Sequence, residues 1–231
     1  MQGPVIFGEN EISDSVSIIT ELSGVLPRTA EFIFEELKRL EKVNSNQKIF
    51  FSAIEIYNEN IFDLFDKSPD KEPLSTYANK NNTLIKNIIS KEIKSKKDIL
   101  KYTKEASETR RTDSTIFNES SSRSHAIYQL KIEFFNNAKQ EITNGLINIV
   151  DLAGSEKCML TSFTDKSKEE IESMKKIQNE ANNINKSLTI LGRIISILAD
   201  KKASKLSIPY RDSKLTTILQ VKIKIVFFKF I

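Results

Sequence analysis

Apolar residues recur along this chain with two different periods, and the pattern predicts both helices and strands. Residues 27–40 place apolar side chains at helical spacing, with Pro27 in the first turn, where proline is tolerated. Residues 126–135 alternate apolar and polar side chains, which is typical of a strand with one buried face. Residues 146–150 are apolar except for Asn148 and are predicted to be a buried strand.

The same reading predicts further elements on both sides of these. Residues 47–65 are predicted to form a strand with a partly extended continuation, 83–93 short strands, and 96–109 a helix. Residues 68–82, rich in Pro, Asn, Asp and Lys, are predicted to be a surface excursion. A long helix is predicted from apolar residues at three- and four-residue steps over 171–198; a helix packed on a sheet is favoured over a coiled coil.

Size and composition restrict the class of protein. A chain of 231 residues is one domain or a large piece of one, and it can bury a substantial core. Charged residues make up 29% of the chain but the net charge is only +4, which favours local basic patches over wholesale nucleic-acid binding. Because Cys158 is the only cysteine, no internal disulfide can form; we interpret it as an inert thiol in a reducing compartment. No secretory leader or membrane span is predicted.

Two stretches about thirty residues apart carry the candidate chemistry. The first, Asn118 to Ile127, reads NESSSRSHAI and offers hydroxyls and an arginine, which suit metal-bound water and charged oxygens. The second, Leu146 to Lys157, runs from the apolar strand into Asp151 and then a glycine turn. An acidic residue at the carboxyl end of a buried strand, followed by such a turn, commonly holds Mg²⁺ beside a triphosphate.

Together these stretches resemble the two switch loops of a kinesin motor domain. Asn182–Ile194 is similar to the long switch helix of that family and Ile208–Gln220 to its microtubule-facing segment. Ser23–Leu37 and Phe51–Phe65 also match, and the motifs follow the family's order. The resemblance implies an α/β kinesin-type P-loop NTPase fold, with a mixed central sheet and helices on both faces. Residues 192–194 and 27–28 weakly resemble the bipolar mitotic branch of the family.

The resemblance also implies roles for residues of the two switch loops. A group from the first loop would surround the γ-phosphate of ATP and its Mg²⁺: Asn118, Ser121, Ser122 and Arg123. Ser122 would lie near the metal and help relay a proton, and Asp151 would hold Mg²⁺ through a water. The Gly154 N–H would sense the γ-phosphate, and Glu156 would pair with Arg123 as a latch. The alternative is a constitutive Arg123–Glu156 pair that only joins two strand ends.

A second set of residues would face the acidic surface of tubulin, if the resemblance holds. Basic side chains there would make binding sensitive to salt. The predicted microtubule-binding residues are Lys157, Lys186, Lys201, Lys202, Tyr210, Arg211 and Lys214. The single histidine, His125, is interpreted as a hydrogen-bonded packing residue behind the switch rather than a catalytic base or metal ligand.

The sequence departs from the family at both ends. The phosphate-binding motif GxxxxGK[ST] is absent: Gly3 and Gly8 have the right separation, but Glu9 and Asn10 follow. Residues 221–231 are an apolar tail without family character, so we predict a partial motor domain over 1–220 and a non-family tail over 221–231. We expect a fold incomplete at both ends, through truncation or a misdrawn gene. We therefore expect the isolated chain to fold poorly and to be inactive as an ATPase.

The leading hypothesis is therefore that the chain is part of a microtubule-stimulated ATPase motor of the cytoplasmic cytoskeleton. Its cofactors would be ATP and Mg²⁺ and its partner the microtubule. Any oligomer would form through segments not present, such as a coiled coil. The alternative is a kinesin-like module that binds microtubules without nucleotide. A GTPase-like switch is disfavoured, because the sequence has no guanine-reading NKxD-type motif.

Overall fold

The computed structural model describes residues 24–41, 45–79, 82–112, 123–136, 141–155, 167–200 and 208–220. Helices and strands follow one another through these ranges, as the periodicity of the sequence predicts. In chain order the elements are α1 (Val25–Glu41), β1 (Ser45–Tyr57), β2 (Asn60–Asp63), β3 (Thr76–Asn79), β4 (Asn82–Ile85), β5 (Lys91–Ile93), α2 (Lys96–Thr112), β6 (His125–Asn136), β7 (Glu141–Asp151), α3 (Lys168–Ala199), a 3-10 helix (Tyr210–Asp212) and α4 (214–220).

The described strands form two sheets. The larger has five strands: β2, β1, β6 and β7 lie in that order, and β5 pairs with β1. Strand β1 is antiparallel to both β2 and β5, with Ile56 opposite Ile61 and Ile49 opposite Ile93. The smaller sheet is the antiparallel pair β3–β4, with Tyr77 opposite Leu84.

Three details differ from the sequence prediction, and two of them concern strand pairing. The supposed continuation of the first strand is a hairpin, because the chain reverses at residues 58–59 and returns as β2. The predicted surface excursion at 68–82 includes β3, which pairs with β4 although it carries an asparagine and lies among turn-forming residues. Strand pairing outweighs local composition in both places. The third difference is that residues 146–150 form the end of β7 but not a buried strand: only Ile149 is buried and Ile147 is 36% exposed, because β7 ends the described strand order.

The described chain divides into two compact units. The first draws its residues from Met1–Ser52, Ser90–Glu105 and Gln129–Ile149. Its helix α1 buries one face at three- and four-residue spacing, while Phe32 on another face remains exposed. The buried apolar side chains of this unit include Leu26, Ala30, Ile33, Leu37, Ile49, Phe51, Ile93, Ile99, Leu130 and Ile132.

The second unit consists of Ala53–Ile89, Ala106–Tyr128 and Val150–Ile231, and it contains all the described candidate site residues. Its core joins three strands and α4 through Ile54, Ile56, Ile61, Ile127, Leu215, Ile218 and Leu219. Val150 at the end of β7 and Leu191 of α3 pack against this cluster. Burial of these side chains holds the start of β6 and the end of β7 in the core, and the described switch residues lie next to these two strand ends.

Helix α3 begins with a capping box. The Ser167 hydroxyl accepts a hydrogen bond from the Glu170 N–H at 3.2 Å, and the Glu170 carboxylate accepts one from the Ser167 N–H at 2.8 Å. Ile184 and Ile194 are buried, and Leu191 packs on the core of the sheet. The prediction of a helix packed on a sheet, rather than a coiled coil, is thus confirmed for this helix.

Candidate functional site

Arg110, near the end of α2, is the centre of a buried polar cluster. Its Nη1 donates to Asp151 Oδ2 at 2.8 Å and its Nη2 donates to the Ser124 carbonyl oxygen at 2.8 Å. Its Nε lies 3.5 Å from Glu55 Oε1, and the Ser124 hydroxyl also donates to that carboxylate. One guanidinium therefore joins strand β1, the start of β6 and the end of β7.

The fork shape of the arginine side chain explains this arrangement. A guanidinium presents several donors in one plane, so it can bind two carboxylates and a carbonyl at once, which an ammonium group cannot do with the same geometry. The side chains of Arg110 and Glu55 are only 9% and 7% exposed, whereas that of Asp151 is 38% exposed. Asp151 is thus held from the protein side and remains open toward solvent.

His125 connects the same region to helix α3. Its Nδ1 accepts from the Ala153 N–H at 3.0 Å, so the ring is the tautomer protonated on Nε2, which donates to the Ser187 hydroxyl at 2.7 Å. Ser187 in turn donates to the Ile184 carbonyl. Burial, with the charge of Arg110 adding to it, lowers the pKa of His125 from 6.5 to about 4, so the ring is neutral at pH 7. The prediction of a hydrogen-bonded packing residue is confirmed.

Arg123 pairs with a residue that the sequence did not suggest. Its Nη1 lies 3.3 Å from Glu180 Oε2 of α3, and Glu180 is only 3% exposed. The Tyr57 hydroxyl donates to the other oxygen of the same carboxylate. Burial and Glu180 together raise the pKa of Tyr57 to about 12, which keeps the phenol protonated as a donor. Glu156, the predicted partner of Arg123, lies outside the described residues, so the latch stays a prediction.

The described residues fit Mg²⁺ and a triphosphate as far as they extend. Asp151 supplies an oxygen ligand of the kind that Mg²⁺ prefers, at the carboxyl end of a strand. Gly154 is exposed and a β-carbon at this position would meet no atom within 4 Å, so the space beside its Cα is open. Asn118, Ser121, Ser122 and Lys157 lie outside the described residues. Among those that are described, no three His, Cys, Asp or Glu side chains converge on a metal position.

The predicted microtubule-binding residues divide into exposed and buried ones. Lys186 and Arg211 are exposed and Lys214 is half-buried, whereas Lys201 and Lys202 lie outside the described residues. Tyr210 is a correction: its side chain is only 5% exposed, so it does not present its ring to a partner. It is the first residue of the 3-10 helix, and its carbonyl accepts hydrogen bonds from the hydroxyls of Thr216 and Thr217.

Sequence reasoning missed Arg110, Glu55 and Glu180 as members of the site. Two of them left a weak signal in the sequence. Arg110 follows the buried Ala106 by four residues, on the same face of α2, and Glu55 lies between the apolar Ile54 and Ile56. A charged residue on a buried face needs a partner, but the sequence does not say which one.

Asp151 and the Gly154 turn end one strand of an α/β sheet, and Arg110 of α2 ties Asp151 to the Ser124 carbonyl at the start of the neighbouring strand. Polar groups at such strand ends are typical of nucleotide-binding α/β families. A sequence model of one such family, described as the kinesin motor domain, matches residues 12–224. The chain therefore belongs to the kinesin motor-domain family.

Individual relatives agree with this assignment. The chain is 39% identical to the kinesin heavy chain of Drosophila melanogaster, over 92% of this chain and 20% of that protein. It is 36% identical to the kinesin-like protein KIF11-A of Xenopus laevis, over 86% of this chain and 18% of that protein. The chain thus spans about a fifth of the length of these curated relatives.

The solved structures confirm the predicted kinesin-type α/β fold. The motor domain of the kinesin-like protein KAR3 from Saccharomyces cerevisiae superposes with a TM-score of 0.70 at 33% identity, covering 87% of this chain and 57% of that one. Within the described ranges, no helix combines the length and apolar character needed to cross a bilayer.

Proposed function

We propose that this chain is part of a microtubule motor that couples ATP binding and hydrolysis to movement along the microtubule. The observation that carries the proposal is the pair of polar links behind the switch region: Arg110 joins Asp151 to Ser124, and His125 joins Ala153 to Ser187. In a member of the kinesin motor-domain family, the Arg110 link would join the two switch segments to each other, and the His125 link would join them to the helix that would meet the track.

On the nucleotide side, Mg²⁺-bound ATP would supply the phosphoryl group to be transferred and the charge that the switch detects. Asp151 would hold a metal-bound water, with its orientation fixed by Arg110. The Gly154 N–H would donate to a γ-phosphate oxygen. Asn118, Ser121 and Ser122 would bind the phosphate and metal from the first loop, with Ser122 relaying the proton of the attacking water.

On the track side, Arg123 would change partners. It is bound to Glu180 of α3 in this structure, and pairing with Glu156 would release Glu180. Because α3 also carries Lys186, a change in the contacts of Glu180 would reach the microtubule-facing surface. Lys157, Lys201, Lys202, Arg211 and Lys214 would complete that surface.

The finer assignments belong to the same proposal. The full-length protein would be a microtubule-stimulated ATPase of the cytoskeleton, oligomeric through other segments. A place in the bipolar mitotic branch, and at the spindle, rests only on residues 27–28 and 192–194, and identities of 36% and 39% to two kinds of kinesin do not favour it. The 231-residue chain alone is expected to be inactive, because its sequence contains no GxxxxGK[ST] motif.

The Glu156→Ala variant of the full-length protein tests the proposal. Loss of one partner of a buried ion pair typically costs roughly 3–5 kcal/mol, so the variant should still bind ATP but hydrolyse it about 100-fold more slowly or worse. Glu169→Ala, which removes an exposed carboxylate from the first turn of α3, is the matched control and should hydrolyse ATP normally. Unchanged microtubule-stimulated turnover in Glu156→Ala would contradict the latch. Microtubule binding without any ATP binding in the wild type would favour the nucleotide-free module instead.

A further inference from the structure

The turn between β1 and β2 has an unusual residue for its backbone conformation. Tyr57 and Asn60 are paired across the hairpin, so Asn58 and Glu59 form a two-residue turn, with φ of 50° and 59°. Turns of this kind favour Asn followed by Gly, because positive φ brings a side chain against its own backbone. Asn58 meets that preference and Glu59 does not. A glutamate at this position calls for a compensating contact elsewhere.

The Glu59 side chain makes such a contact with helix α4. Its Oε2 accepts a hydrogen bond from the Lys214 N–H at 2.8 Å, and the side chain is half-buried. The first N–H groups of a helix have no acceptor within the helix, so an acceptor from elsewhere fixes the position of the helix start. A carboxylate is favoured there over a neutral acceptor, because it also interacts with the helix dipole.

The two residues before Glu59 contact helix α3. The Tyr57 hydroxyl donates to Glu180, and the Asn58 side-chain oxygen accepts from the amide of Asn183. Three consecutive residues of one hairpin therefore hold two different elements. Those elements carry two of the basic residues predicted to bind the microtubule, Lys186 on α3 and Lys214 at the start of α4, and the exposed Arg211 lies in the 3-10 helix just before α4.

We propose that Glu59 is a positioning residue for microtubule binding. It holds the 3-10 helix and the start of α4 at a fixed place relative to α3, so that Arg211, Lys214 and Lys186 meet the acidic track together. The inference rests on the proposed function, since it assigns Glu59 to the track-binding side of the same motor. It does not involve the nucleotide.

Glu59→Gly in the full-length protein separates this role from a general structural one. Glycine adopts positive φ without strain, so the variant relaxes the turn and at the same time removes the acceptor for Lys214. Hydrogen–deuterium exchange should then be unchanged or slower in residues 57–60 but faster in residues 214–220. Because a hydrogen bond to a charged group is lost, microtubule affinity in cosedimentation should fall roughly tenfold, with an unchanged binding plateau. Glu59→Gln keeps an acceptor of the same length and should restore affinity to within about threefold of the wild type.

Two control variants make the outcomes distinguishable. Asn87, an exposed residue with φ of 59° in another turn, allows the Asn87→Gly variant, which relaxes a positive-φ position but keeps the Glu59–Lys214 hydrogen bond and should leave affinity unchanged. Arg211→Ala should weaken binding whether or not Glu59 has this role. The inference would be overturned if Glu59→Gly bound microtubules with wild-type affinity, or if its hydrogen–deuterium exchange accelerated equally throughout the motor. In either case the Arg211→Ala variant would still test the proposed function. A wild-type protein that does not bind microtubules at all would overturn the proposed function itself.

Discussion

Replacing Arg110 provides the sharpest test of the structure, because the loss in free energy of unfolding can be estimated from the burial of its ion pair with Glu55. In Arg110→Met the methionine fills much of the arginine volume but leaves the buried Glu55 carboxylate and the Ser124 carbonyl without their guanidinium partner. Removing one member of a buried ion pair typically destabilises a protein by roughly 3–5 kcal/mol. With an m-value of about 3 kcal/mol/M, the urea midpoint of the motor should fall by about 1–2 M.

The assay is a urea titration of the full-length protein with pulse proteolysis, following the motor segment. Arg39→Met is the matched control, since Arg39 is 75% exposed and pairs with Glu36 on the surface of α1; its midpoint should change by less than about 0.3 M. Adding Glu55→Gln to Arg110→Met should recover about 1 kcal/mol or more, because the double variant no longer buries an uncompensated charge. A midpoint for Arg110→Met within the range of the control would refute the buried cluster.

Three further predictions follow from the site. Between pH 7 and pH 5 the wild type should lose about 2 kcal/mol more free energy of unfolding than His125→Asn. Burial holds the pKa of His125 near 4 in the folded protein, whereas the unfolded side chain titrates near 6.5, so the unfolded state is protonated first as the pH falls. Equal losses in the two proteins would refute the buried neutral histidine. In urea titrations, Arg123→Met and Glu180→Gln should show a coupling energy of about 1 kcal/mol or more, and strict additivity would contradict the pairing. Arg211→Ala should weaken microtubule binding in cosedimentation while basal ATP hydrolysis is unchanged; unaltered affinity would remove Arg211 from the interface.

Local periodicity was sufficient to predict most of the described secondary structure. The alternation over 126–135 corresponds to β6, the apolar run before Asp151 to the end of β7, and the spacing over 171–198 to the body of α3. It was insufficient where the chain reverses within an apolar stretch. The turn at Asn58 and Glu59 has no glycine or proline to mark it, so the hairpin of β1 and β2 resembled one long strand.

The site was predicted in part, and the missing part consists of long-range partners. The sequence marks Asp151 and Arg123 because they lie in motifs, but their ion-pair partners are 41 and 57 residues away. Nothing in the local pattern of α2 or α3 specifies which buried charge meets which. Tyr210 shows the opposite error: a motif residue was expected at the surface, yet it is buried, whereas the next residue, Arg211, is exposed.

Under the proposed function, the full-length protein is a motor whose ATP turnover depends on the microtubule. The decisive experiment is its steady-state ATP hydrolysis as a function of microtubule concentration, at low and at high salt. Turnover should be slow without microtubules and increase saturably with them. The half-saturating concentration should be higher at high salt, because basic side chains meet an acidic track. Turnover that does not respond to microtubules, although the protein binds ATP, would contradict the proposed function.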